Sequence, residues 1–259
     1  MENDSTKKVL IIAGAGAVEN AWHPIIVAIK NLFGIETDAD GANFILAREV
    51  YLNKFYSTIK HPQAPKLSEI SKNNLSLLKK EITKQIINSQ QKKEIRIRAN
   101  FFNIIENYIR KKKLLVVTTN WDKVVDSSFE EFFKLNGFSN LPRVFHLHGS
   151  VDNPENLYLP SEITPELYRT KEQENLIGKD HSIFSNILKE ANEIIFYGIS
   201  LDPLDVELTM NLSRVIQFSN LEKVVVVNPE HEKICNRLKL ILFNKKINIE
   251  FINPANFPN

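Results

Sequence analysis

A single cysteine, Cys235, stands in 259 residues, so the chain can form neither an intrachain disulfide nor a cysteine-based zinc site. On its predicted helix Cys235 shares an apolar face with Ile234, Leu238 and Leu242, which reads as packing; a reactive thiol is the alternative. Long hydrophobic runs are missing as well. The first apolar run, Val9 to Ala13, is too short for a signal-peptide core or for the roughly 20 residues of a membrane span, and we expect a cytoplasmic protein with no membrane partner. Neither charge is in excess: 33 basic and 31 acidic residues leave a net charge of +2, which gives no reason to expect direct nucleic-acid binding. The lysine clusters Lys7-Lys8, Lys111-Lys112-Lys113 and Lys245-Lys246 each precede an apolar strand. They read as solvated strand flanks, with a phosphate-binding patch as the alternative.

Short β-branched runs recur instead: Val9-Leu10-Ile11-Ile12, Leu114-Leu115-Val116-Val117, Val144-Phe145-His146-Leu147, Ile194-Ile195-Phe196-Tyr197 and Val224-Val225-Val226-Val227. They read as strands buried on both faces, as in a parallel sheet. Ile247 to Ile252 alternates apolar with polar residues and predicts an edge strand. Helical periodicity fills the intervals at Trp22 to Phe33, Asp122 to Leu135, Ser182 to Ala191, Leu204 to Phe218 and Glu230 to Phe243. The expected fold is therefore α/β: a Rossmann-like, doubly wound, mainly parallel sheet of about six strands. Residues 34–113 are too long for a simple crossover. They contain no convincing strand but show helical patterns at Leu67 to Ile87 and Ile95 to Ile109. We read one domain over residues 1–259, with 34–113 as a helical insertion or small subdomain after the first strand-helix unit. A second irregular stretch, Val151 to Lys179, carries Pro154, Pro160 and Pro165 and reads as a long loop beside the site.

Polar residues stand where these strands end, and in an open α/β sheet the carboxyl ends of the strands converge on one ligand crevice. Gly14-Ala15-Gly16-Ala17 would let the backbone approach a pyrophosphate and aim helix N–H groups at it; a plain tight turn is the alternative. Glu19 occupies the third glycine position of the dinucleotide fingerprint, which disfavours a hydride-transferring dehydrogenase. In Thr118-Thr119-Asn120-Trp121-Asp122, Asn120 is expected in the cleft, while Asp122 is either a cleft residue or a helix cap. His146 and His148 alternate along a strand and would face one way. With no third ligand at recognisable spacing we expect no metal, and His148, beside Gly149, is the better candidate for a base, with a hydrogen-bonded structural histidine as the alternative. Gly198-Ile199-Ser200-Leu201 and Asn228-Pro229-Glu230 close the next two strands, with ordinary turn and cap chemistry as the alternative. Asp202 and Asp205, flanking Pro203, read as N-caps.

In this order the pieces resemble the sirtuin family: a Gly-Ala-Gly turn, a Thr-x-Asn-x-Asp segment, a His-Gly, a Gly-x-Ser-Leu and an Asn-Pro after a valine-rich strand, spanning residues 9 to 230. The resemblance implies a Rossmann-like sheet that binds NAD as substrate. The chain departs from sirtuin deacylases in having no paired Cys-x-x-Cys for structural zinc and no Phe-Gly-Glu segment. It also carries Glu19-Asn20-Ala21-Trp22-His23-Pro24 in place of a proline-aspartate-phenylalanine-arginine segment. It is similar instead to zinc-free bacterial sirtuin-like proteins that hydrolyse NAD in antiphage defence. That likeness implies a glycohydrolase releasing nicotinamide and ADP-ribose, with Asn120 holding the ribose or the attacking water, Asp122 engaging the carboxamide and His148 acting as base. Gly14, Ala15, Gly16 and Ser200 would face the phosphates and Asn228 with Glu230 the adenosine side, with Ala17, Gly198, Leu201 and Pro229 also among the cofactor-binding residues. A homo-oligomer and a regulatory partner, such as an associated ATPase or nucleic-acid sensor, are further expectations. The alternatives are an NAD-dependent protein deacylase or ADP-ribosyltransferase, and a non-catalytic module that binds NAD or ADP-ribose.

Overall fold

The computed structural model describes residues 7–111, 113–242 and 246–257. Its centre is β1 (Lys8–Ala13), whose residues from Val9 onward are wholly buried. Because side chains alternate across a strand, Val9 and Ile11 enter one hydrophobic layer and Leu10 and Ile12 the other. Four further apolar runs pair beside it as β4 (Lys113–Thr118), β5 (Val144–His146), β6 (Glu193–Tyr197) and β7 (Lys223–Val227), and β8 (Asn248–Ile252) closes the edge. The six strands are all parallel, in the order β5-β4-β1-β6-β7-β8. Successive strands run outward on one side of β1 and then return to its other side. This reversal opens a crevice at the carboxyl ends around β1.

The layer over Val9 and Ile11 is built by α1 (His23–Phe33), α2 (Ala39–Thr58), α3 (Ala64–Gln91), α4 (Phe101–Lys111) and α5 (Val124–Leu135). The opposite layer is built by α6 (Lys171–Glu190), α7 (Val206–Ile216) and α8 (His231–Ile241), where Cys235 packs with Leu238 and Leu242; burial pushes its thiol up. No helix among the described residues is long and apolar enough to cross a membrane. Lys7 and Lys8, at the amino end of β1 away from the crevice, pair with Glu222 and Glu190 at 2.7 Å, as strand flanks do. Lys112, Lys245 and Phe243 lie outside the described residues.

Three local expectations are corrected. Residues 34–113 do contain a strand, β3 (Arg96–Ile97), which pairs antiparallel with β2 (Val18–Glu19). It also displaces the start of the helix read from Ile95, so that α4 begins at Phe101. The loop expected to run to Lys179 ends at Thr170, whose hydroxyl and the Gln173 side chain form a reciprocal capping box that starts α6 at Lys171.

Candidate active site

The glycine turn does not lead straight into a helix. After Gly14 the chain makes one 3-10 turn, Ala15–Ala17, and β2 before α1 begins at His23. The expected helix N–H groups are therefore not there. Gly14 N–H donates to Tyr197 O (2.9 Å) and Gly16 N–H to Gly198 O (3.0 Å), so both amides tie the first loop to the loop after β6. What demands glycine is this contact: a Cβ on Gly198, whose φ is +64°, would lie 2.3 Å from the Gly16 carbonyl carbon.

At the end of β4, Thr118 is fully buried, and its hydroxyl donates to Ala13 O (3.0 Å) while accepting from Asn120 N–H (3.1 Å). Trp121 turns into the core, and its carbonyl accepts from Val151 N–H at 2.9 Å. Asn120 and Asp122 line the crevice, and Trp121 borders it from the core side. Asn120 Nδ2 is buried without a hydrogen-bond partner. Asp122 stands one residue before the α5 N-cap, Lys123; its Oδ1 accepts from Val124 N–H (2.9 Å), and the residue lines the crevice.

Burial raises the Asp122 carboxyl from 3.8 to about 6, against the opposing pull of the Val124 N–H and His146. Its folded value thus exceeds its unfolded one. Between the two the folded state holds the extra proton, so stability falls as pH rises from about 4 to 6 and the cost is fully present above that window. Asp122→Asn keeps an oxygen for Val124 N–H and is expected to raise the unfolding free energy by about 1–3 kcal/mol at pH 7. The gain should vanish toward pH 4, and urea denaturation at the two pH values measures it.

His146 and His148 do not face one way, because β5 ends at His146 and strand alternation ends with it. His146 turns to Asp126, with Nε2 to Oδ2 at 2.9 Å, and its Nδ1 lies 3.0 Å from Asn120 O, bracing that segment from behind. His148 lines the crevice, 9% exposed, with Nε2 free of hydrogen bonds. Its ring stacks on Tyr158 at 5.5 Å, and Tyr158 N–H donates to His148 O at 2.9 Å. Nε2 lies 3.4 Å from Asp205 Oδ1, at ion-pair distance.

These elements enclose one cavity of about 300 Å³. Gly14, Ala15, Gly16, Asn120, Asp122, His148, Gly198, Ser200, Leu201 and Asn228 line it; Ala17 is buried in the core, and Pro229 and Glu230 stand outside the lining. The Asn228 amide bridges two loops, donating to Ile199 O (3.0 Å) and accepting from Glu230 N–H (2.8 Å). Leu201, at φ +49°, has its carbonyl and that of Ser200 held by Arg237 at 3.2 and 2.7 Å. Sequence reasoning missed Trp22, Asp40 and Asn43 in the wall, and it gave Asp202 and Asp205 only as caps. Both do accept backbone N–H groups, from Leu204 and Leu208, while Asp202 also accepts from Asn43 of α2 at 3.2 Å. The charged lining is thus acidic, with Asp40, Asp122, Asp202 and Asp205 and no lysine or arginine among the described residues. No group of three or more His, Cys, Asp or Glu among the described residues is arranged to hold a metal ion.

No curated protein matches the chain. Residues 97–252 match the family model of the SIR2-like domain, a span that includes Asn120, Asp122, His148, Gly198 to Leu201 and Asn228 but not the Gly14 turn. By this match over more than half its length, the chain belongs to the SIR2-like domain family, whose domains take NAD as substrate.

Proposed function

We propose that this protein is an NAD glycohydrolase that releases nicotinamide and ADP-ribose without zinc, and that it depletes NAD as an effector of bacterial antiphage defence. In this reading residues 1–259 form one domain with 34–113 inserted in it. The protein works in the cytoplasm as a homo-oligomer restrained by a partner such as an ATPase or nucleic-acid sensor. The observation that carries the chemistry is the convergence of Asn120, Asp122 and His148 on one small acidic cavity beside the two glycine loops.

The C1′–N bond breaks with its electron pair passing to the nicotinamide nitrogen, which leaves neutral, and positive charge develops on the ribose. An acidic lining suits both the cationic pyridinium and the oxocarbenium-like state that follows. Asn120, with an unsatisfied amide, holds the ribose or the attacking water, and Asp122, where protonated, donates to the carboxamide oxygen. His148 takes the proton that water loses as its oxygen bonds to C1′, so NAD and water give nicotinamide, ADP-ribose and one proton.

Chromatography of NAD incubated with the protein, with and without an acetyl-lysine peptide, tests the reading. Nicotinamide and ADP-ribose in equal amounts, indifferent to the peptide, are expected. Release that requires the peptide would make the protein a deacylase or transferase, and NAD binding without nicotinamide release would make it a binding module.

A further inference from the structure

The crevice contains an acid that the reading above leaves unused. Asp205 precedes α7, and its Oδ1 accepts from Leu208 N–H (3.3 Å) and lies 3.4 Å from His148 Nε2. One oxygen therefore caps a helix and confronts the candidate base. Among the described residues no lysine or arginine pairs with Asp205. Glu162 of the loop before α6, ion-paired with Lys79 and Arg169, also acts on the ring. From the same loop Tyr158 covers one face of the imidazole, and the Thr119 carbonyl acts on it from the end of β4. With the ring clamped in this way, Nε2 is buried and unbonded toward an uncompensated carboxylate.

We propose that Asp205 is a positioning residue for the hydrolytic step: it orients the His148 ring and stabilises the imidazolium formed when Nε2 accepts a proton from water. The inference rests on His148 being the base. The proton moves from water to Nε2, the neutral ring becomes a cation, and the new charge lies against the Asp205 carboxylate. Burial alone would lower the affinity of His148 for protons, but Asp205, with Glu162 and the Thr119 carbonyl, outweighs it and raises the group above its ordinary value.

Asp205→Asn is the discriminating variant, because asparagine caps a helix about as well as aspartate and removes only the charge. Two readouts are taken. In the first, the His148 ring is titrated by NMR in wild type and variant, its resonance identified as the one missing from His148→Ala. The midpoint is expected at lower pH in Asp205→Asn. In the second, nicotinamide release from NAD is followed against pH. The acid limb is expected to move the same way, and the plateau to fall roughly tenfold or more, a part of the 10²–10⁴-fold that a positioned base supplies. An unchanged NMR midpoint overturns the proposal whether or not the protein turns over NAD. An unchanged pH profile and plateau in an active enzyme overturns it equally. Loss of turnover in wild type itself would instead strike at the hydrolase reading, leaving the NMR titration to judge Asp205.

Discussion

Replacing Glu162 with alanine is expected to lower the unfolding free energy by about 3–5 kcal/mol. Glu162 is 1% exposed and joins α3 to the loop that lines the crevice. Its Oε1 meets Lys79 of α3 at 2.9 Å and the Tyr168 hydroxyl, and its Oε2 meets Arg169 and accepts from Leu159 N–H at 2.9 Å. Alanine would leave Lys79 and Arg169 buried together without a counter-charge, and would strand the Tyr168 and Leu159 donors. Lys79→Met should cost far less, since Arg169 and Tyr168 still satisfy the carboxylate. Urea denaturation of the two variants separates the cases, and a Glu162→Ala loss below about 1 kcal/mol would show that the clamp contributes little. The same group gives acid sensitivity. Burial alone would raise Glu162, but Lys79 and Arg169 hold it below the usual carboxylate value. A depressed folded pKa stabilises above the unfolded value, and that contribution is lost as pH falls through the folded one. The clamp should therefore weaken only below about pH 4.5.

Asn120→Ala is expected to cut nicotinamide release roughly 10²–10³-fold while leaving stability within about 1 kcal/mol of wild type. The asymmetry follows from the unpaired Nδ2. A buried amide without a partner contributes no net hydrogen bond to folding, so its removal deprives only a ligand. Steady-state release and thermal unfolding of the same preparation measure the two quantities. Equal losses in both would make Asn120 a structural residue.

The sheet was legible because strand segments buried on both faces must be apolar at every position, as β1 is from Val9 and β7 from Val224. β2 and β3 were not, since two residues cannot display a period. The start of α6 was hidden by its polar first turn of Lys171, Glu172 and Gln173. The Thr170 and Gln173 capping pair was the available signal. For the crevice, strand ends pointed to Asn120, Asp122 and His148, but the alternation rule failed at His146 because it was carried past the end of β5. Asp205 was recognised as a cap, which it is; its second role depends on the approach of His148 across 57 positions, and no local pattern encodes that. Lys79 lies in α3, far in sequence from Glu162 and Arg169 in the loop before α6, and each alone reads as an ordinary surface charge.

Nicotinamide release from NAD by the wild-type protein beside His148→Ala, at several protein concentrations, tests the central claim most directly. The hydrolase account predicts release by wild type that falls roughly 10²–10⁴-fold in the variant, and a steep concentration dependence if assembly controls the crevice. A His148→Ala protein that releases nicotinamide as fast as wild type would contradict it.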